Sequence, residues 1–185
     1  MFITLYRFLL LSCFIWSGIA LSGQRLVPVK EGSTVTFTIK NLGFNVGGSF
    51  TGIEGNIFFA TADLGSSSFD VSIDANSINT GIDMRDNHLR ESEYLDAVKF
   101  PRIHFLSTQV RASKPYGNFW ISGKLTIKDQ TRPISFPFLA TVSGDDILFK
   151  GQFKINRKDF SVGRSSTISD NMELSINVLA KNVKK

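Results

Sequence analysis

Residues 118–142 read NFWISGKLTIKDQTRPISFPFLATV, and their apolar side chains recur at every second position. Phe119, Ile121, Gly123, Leu125 and Ile127 alternate with Trp120, Ser122, Lys124, Thr126 and Lys128. After Asp129-Gln130, a turn signal, the alternation resumes with Ile134, Phe136, Phe138, Ala140 and Val142. A period of two places one set of side chains on a dry face and the other in water, the signature of antiparallel strands. Pro137 interrupts the run. It cannot donate to a ladder, so a bulge or an unpaired edge is expected there.

The same period continues in both directions. In TVTFTIK (34–40), Val35, Phe37 and Ile39 share a face; in SFDVSID (68–74) the face belongs to Phe69, Val71 and Ile73. Ile103 and Phe105 alternate with Arg102 and His104. Ile147, Phe149, Gly151, Phe153 and Ile155 form another set, and Met172, Leu174, Ile176, Val178 and Ala180 the last. With the glycine-rich, less regular segment from Gly48 to Phe59, about eight strands result, a number at which a sheet closes on itself. Only residues 82–98 lack both alternation and Gly or Pro, so one short flanking helix is expected over about 83–96, with Leu89 and Leu95 facing the sheet. The fold class is all-β: an antiparallel barrel of about eight strands with that helix.

The chain opens MFITLYRFLLLSCFIWSGIALSGQ, in which Phe8 to Leu21 is a nearly unbroken apolar run. That length is short of the roughly 20 residues a membrane span requires and suits the core of a secretory signal. Residues 1–22 are therefore read as an export signal, removed beside Ala20-Leu21-Ser22. This places residues 23–185 in the periplasm or outside the cell. An uncleaved anchor and lipidation at Cys13, in the lipobox-like Leu10-Leu11-Ser12-Cys13, are the alternatives. Cys13 is the only cysteine, so the remainder has no disulfide and no thiolate chemistry. The net charge of +5 is spread along the chain without a basic stripe or stacking aromatics, which excludes a nucleic-acid footprint and leaves weak attraction to a membrane surface.

Residues 84–105, MRDNHLRESEYLDAVKFPRIHF, hold both histidines among many acids and bases. His88 has Asp86 and Glu91 nearby, and His104 follows 16 residues later, but no metal-ligand spacing is formed. On a helix His88 and Glu91 share one face, while His104 takes the outward parity. No Gly-x-Ser-x-Gly occurs. In GNFWISGKL the phosphate-loop spacing fails, Leu125 stands where a hydroxyl is needed, and no helix follows. No catalytic or metal constellation is read in this sequence, and the charges of 84–105 are expected to solvate a flank.

Three segments carry a resemblance: RDNHLRESEYLDAVKFPRIHF, GKLTIKDQTRPISF and INRKDFSVG, in that order, with GGSFTGIEGNI and SDNMELSINVLAK in support. Together they resemble the YceI-like polyisoprenoid-binding family over about residues 30–180. Asp129 stands where that family usually has a turn glycine, and Lys40-Asn41 where it often has a histidine. The resemblance implies a lipocalin-like barrel, no required cofactor, and an isoprenoid lipid such as a quinone's tail in a tunnel. It leaves room for a homodimer. Against it stands a filled barrel that binds a protein partner, with outward Trp120 as a contact; alternation alone does not separate hollow from filled.

On the tunnel reading the inward set is the lining. From the first strands it takes Phe37, Ile39, Phe69, Val71 and Ile73, and from the middle Phe105, Phe119, Ile121, Gly123 and Leu125. The later strands add Phe136, Phe138, Phe149, Gly151, Phe153, Leu174 and Ile176. Gly123 and Gly151 are expected to provide room, and a buried chain of roughly 20 carbons would gain about 16 kcal/mol gross. Arg157 continues the inward parity of Phe153 and Ile155, and Asp170 has matching parity before Met172. A barrel-end Arg157–Asp170 pair is the first expectation, and a head-group contact from Arg157 the second.

Overall fold

The computed structural model describes residues 23–164 and 167–183; residues 1–22, expected to be an export signal, and Cys13 among them lie outside. Ten antiparallel strands run β1 (Gln24–Pro28), β2 (Thr34–Asn41), β3 (Phe44–Phe50), β4 (Glu54–Phe59), β5 (Ser68–Asp74), β6 (Arg102–Ala112), β7 (Asn118–Ile127), β8 (Gln130–Ser143), β9 (Asp146–Asn156) and β10 (Ile168–Asn182). One helix, α1 (Asp83–Arg90), lies between β5 and β6. Along one edge of β10, β1 pairs at Pro28↔Ala180 and β2 continues from Asn177↔Thr34. β1 and β2 are thus two halves of one wall strand. β4 on β1 and β3 on β2 are the halves of the next. The ten segments fill eight wall positions, and β1, paired to both β4 and β10, closes the barrel.

The eight-stranded closure agrees with the alternation. The sequence reading misses β1, five residues ending in a proline and too short to show a period. It also joins the end of β3 to β4 across the bend at Thr51-Gly52-Ile53. Within β4, Gly55 has a φ of +134°, and a Cβ there would sit 2.1 Å from the Asp70 carbonyl, so only glycine fits.

β8 follows β7 from end to end, but pairs with β9 only from Phe138↔Gly151 onward. Residues 130–137 and 152–156 therefore separate, leaving a slit in the wall. Pro137 pairs with Trp120 on β7 and has no β9 partner, which is the unpaired edge position its chemistry demands. Phe136 and Phe153 stack across this region with ring centroids 4.1 Å apart.

The interior is neither uniformly filled nor uniformly hollow. In one half, Phe59 meets Phe119 edge-on at 5.2 Å and Phe149 at 5.5 Å, while Phe69 meets Phe149 at 5.3 Å. With Leu26, Ile57 and Phe138 these rings form a solid aromatic plug. The second half is lined by Val35, Phe37, Leu125, Ile155 and Leu174 and encloses open space.

Candidate functional site

A cavity of about 240 Å³ occupies that second half. Strand alternation aims its walls inward: Phe37 and Ile39 come from β2, Val71 and Ile73 from β5, Phe105 from β6 and Leu125 from β7. Phe136 from β8, Phe153 from β9, and Leu174 and Ile176 from β10 complete ten of the expected lining positions. Five others, Phe69, Phe119, Ile121, Phe138 and Phe149, belong to the plug instead. They have the right parity at the wrong depth.

Gly123 and Gly151 do not open on the cavity, contrary to expectation. A Cβ on Gly123 would stand 2.5 Å from the Phe105 ring and 2.6 Å from the Leu106 carbonyl. On Gly151 it would stand 3.2 Å from the Pro137 carbonyl and 3.3 Å from Ile176. Each glycine admits a neighbour closely; neither leaves a void.

Arg157 points inward as its parity requires and is only 3% exposed. It starts a 3-10 turn, Arg157–Phe160, and its guanidinium donates to four backbone carbonyls: Ser169 (2.9 Å), Val162 (2.8 Å), Gly163 (2.6 Å) and Ile168 (2.9 Å). Asp170 is also reached, at 3.4 Å, but is half exposed and lies closer to Lys158, at 2.9 Å. The anticipated pair exists as the weaker part of a larger clasp. Arg157 fastens the connection into β10, and Asp170 does not line the cavity.

The helix stops at Arg90 rather than near 96 because Glu91 turns extended. Tyr94, Leu95 and Ala97 are all buried, and a continuing helix would spread them over about 160° of its circumference. Successive turns instead face them inward, with Asp96 in the left-handed region at φ +48°. The charges of this segment do more than solvate. Arg90 donates to the carbonyls of Asn76 and Ile78, and Asp86, 4% exposed, accepts from the backbone N–H (2.8 Å) and hydroxyl of Thr80. His88 meets Glu91 at 3.1 Å and His104 meets Asp70 at 2.6 Å, both near the surface. Among the described residues no three metal-ligating side chains gather.

The Thr80 hydroxyl holds the Asp86 carboxyl below its ordinary value; burial opposes this, while the Thr80 N–H, Arg90 and Arg85 add to it. A depressed folded-state pKa contributes stability that is complete above the unfolded value of 3.8 and lost as the pH falls through the folded one. In thermal melts, the advantage of wild type over Asp86→Asn is therefore expected to stay constant above about pH 5 and shrink below 3.8. An advantage independent of pH would mean that the charge contributes nothing.

Sequence reasoning missed Asn41, Thr80, Arg85 and Tyr94, which also line the cavity. Three of them lie outside the strands, where no period signals orientation.

The chain and its fold have relatives. A family model described as the YceI-like domain matches residues 27–180. Protein YceI of Salmonella arizonae is 32% identical over 184 residues, covering 94% of this chain and 95% of the relative. Among solved structures, BcnA of Burkholderia cenocepacia superposes with a TM-score of 0.76 at 23% identity, over 80% of this chain and 96% of that one. A polyisoprenoid binding domain from Saccharophagus degradans, implicated in plant cell wall breakdown, gives 0.67 at 14% identity, over 88% and 100%. These two likenesses are of fold alone. The sequence relatives go further: the chain belongs to the YceI-like domain family.

Proposed function

We propose that this protein is a non-catalytic lipid carrier that holds an isoprenoid-type chain in the half-barrel cavity. One observation carries the reading. The same strands that fill one half with interlocked phenylalanines leave the other half open behind walls that are almost wholly aliphatic and aromatic. Space so dry offers water few partners and favours an apolar guest. The polyisoprenoid-binding description of the Saccharophagus neighbour points to the same ligand class. Export through residues 1–22 belongs to the proposal and would make it a periplasmic or secreted carrier.

The volume revises the length of chain held. A dry cavity of about 150 Å³ accommodates one benzene, so 240 Å³ holds roughly ten carbons, two isoprene units. Burial of ten carbons gains about 8 kcal/mol gross, and ordering the chain returns about 2–3, leaving a Kd on the order of 100 µM. Longer chains protrude from the open end. Mass spectrometry of an organic extract of the purified protein, with titration of geraniol and farnesol by calorimetry, tests this. Farnesol should bind little more tightly than geraniol. An empty extract together with no heat from either prenol would end the carrier reading.

A further inference from the structure

The outer face of the barrel is not evenly charged. Strands β6 to β9 hold one carboxylate between them, Asp146 at the first residue of β9, which accepts from the Asn182 N–H at 3.4 Å. Asp129 and Asp145, the other acids between Arg102 and Asn156, lie in the turns that join β7 to β8 and β8 to β9. The outward positions of the same strands carry Arg111, Lys124, Lys150 and Lys154, all exposed. None of the four forms an ion pair among the described residues. Glu173 on β10, opposite Lys154 in register, marks the border of this basic patch.

Strand register sets apolar side chains among the cations. Trp120 stands between Arg111 and Pro137, Lys124 between Leu106 and Pro133, and Leu139 beside Lys150. Trp120, Leu106 and Leu139 are exposed. Scattered single apolar residues on a surface are ordinary; a group of them inside a patch of one charge sign marks a contact face. An indole suits the border between lipid head groups and acyl chains, and basic side chains suit anionic head groups. A nucleic acid would ask for several stacking rings where this face has one. A second copy of the same face would set cations against cations. The slit between residues 130–137 and 152–156 opens on this face. Behind it Ile134, Phe136, Phe153 and Ile155 line the cavity, and Ile134 and Phe153 are only partly buried although they point inward.

We propose that the outer wall of β6 to β9 is a docking face for an anionic phospholipid bilayer. Arg111, Lys124, Lys150 and Lys154 meet the head groups, and Trp120 and Leu139 reach the border of the acyl region. Docked in this way, the slit faces lipid, and a chain can pass sideways into the cavity without crossing water. The docking face is read from the outer surface and stands apart from the carrier reading; only the use of the slit rests on that reading.

In the full chain carrying Trp16→Phe, Trp120 is the only indole. Its emission is titrated with vesicles of phosphatidylglycerol and phosphatidylcholine in equal parts, and with vesicles of phosphatidylcholine alone. The anionic vesicles should move the emission to shorter wavelength and, when their acyl chains are brominated, quench it. Affinity for them should exceed that for the neutral vesicles about 100-fold, because each base near such a surface contributes about five-fold. Lys124→Gln combined with Lys150→Gln should lower that affinity about 25-fold. Lys30→Gln combined with Lys40→Gln removes the same charge beside and along β2, and should lower it far less, since salt screens beyond about 8 Å. Trp120 emission indifferent to anionic vesicles would overturn the docking face even if the protein sedimented with them, because contact would then lie elsewhere. Equal losses from the two double variants would overturn it as well. So would an emission that responds to heparin as it does to vesicles, which would make the patch a site for anionic polymers in general. None of these outcomes touches the carrier reading, which the prenol titrations test alone.

Discussion

Replacing Arg157 by methionine should lower the thermal midpoint by about 10 °C. The loss comes from the carbonyls of Val162, Gly163, Ile168 and Ser169, which all accept from one buried guanidinium. Methionine keeps the length and apolar stem but leaves four acceptors without donors, at a cost of about 3–5 kcal/mol in total. For a chain of this size each kcal/mol lowers the midpoint by roughly 2–4 °C. Asp170→Asn should cost no more than about 1 kcal/mol, because that carboxylate is half exposed and shared with Lys158. Coupling in the double mutant should be correspondingly small. Equal losses from the two single variants would instead assign the stability to the ion pair. Measurement needs only differential scanning calorimetry of the two singles and the double.

Ile176→Trp should abolish prenol binding and leave a folded barrel. Ile176 lies on the cavity wall where the two halves of the interior meet, packed against both. An indole there takes up space for roughly five carbons, removing about 4 kcal/mol of gross burial and lowering affinity at least about 100-fold. The protein pays only the usual cost of a tighter core, about 1–3 kcal/mol. Gly123→Phe gives the opposite pattern. Its side chain must displace the Phe105 ring and the Leu106 carbonyl, and backbone does not yield as a side-chain tip does. That variant should unfold before it says anything about ligand. Geraniol binding to a well-folded Ile176→Trp protein would place the chain elsewhere.

The wall of the barrel was legible because β7 to β10 are long and each buries one face, so every second residue reports its orientation, whereas in β6 a shift between Ser107 and Gln109 turns both Phe105 and Val110 inward. β1 was not legible, with five residues and a terminal proline. Nor was the split of the second wall strand into β3 and β4. For the site, alternation reports the face of a side chain but not its depth. Phe69 and Phe105 have equivalent inward positions on neighbouring strands, yet Phe69 sits in the plug and Phe105 borders the cavity. Depth follows from strand register, which is fixed by pairings between distant residues. Arg157 could be found by extending a parity. Arg85 could not, because its placement depends on Thr80 and on where a short helix docks.

Barrel closure through β10 has a consequence in time. Ser33 and Leu179 bond to each other across 146 residues of sequence, and β10 itself is built from 15 residues, Ile168–Asn182. Until β10 is in place, β1, β2 and β9 each lack a neighbour, and the partly made sheet exposes two free edges of the kind that invite association with other chains. Contacts between such distant residues form slowly, on the scale of about milliseconds to seconds for proteins dominated by them. Docking of β10 therefore governs when the protein is safe from its own kind, since an open sheet and a closed barrel differ by that one strand.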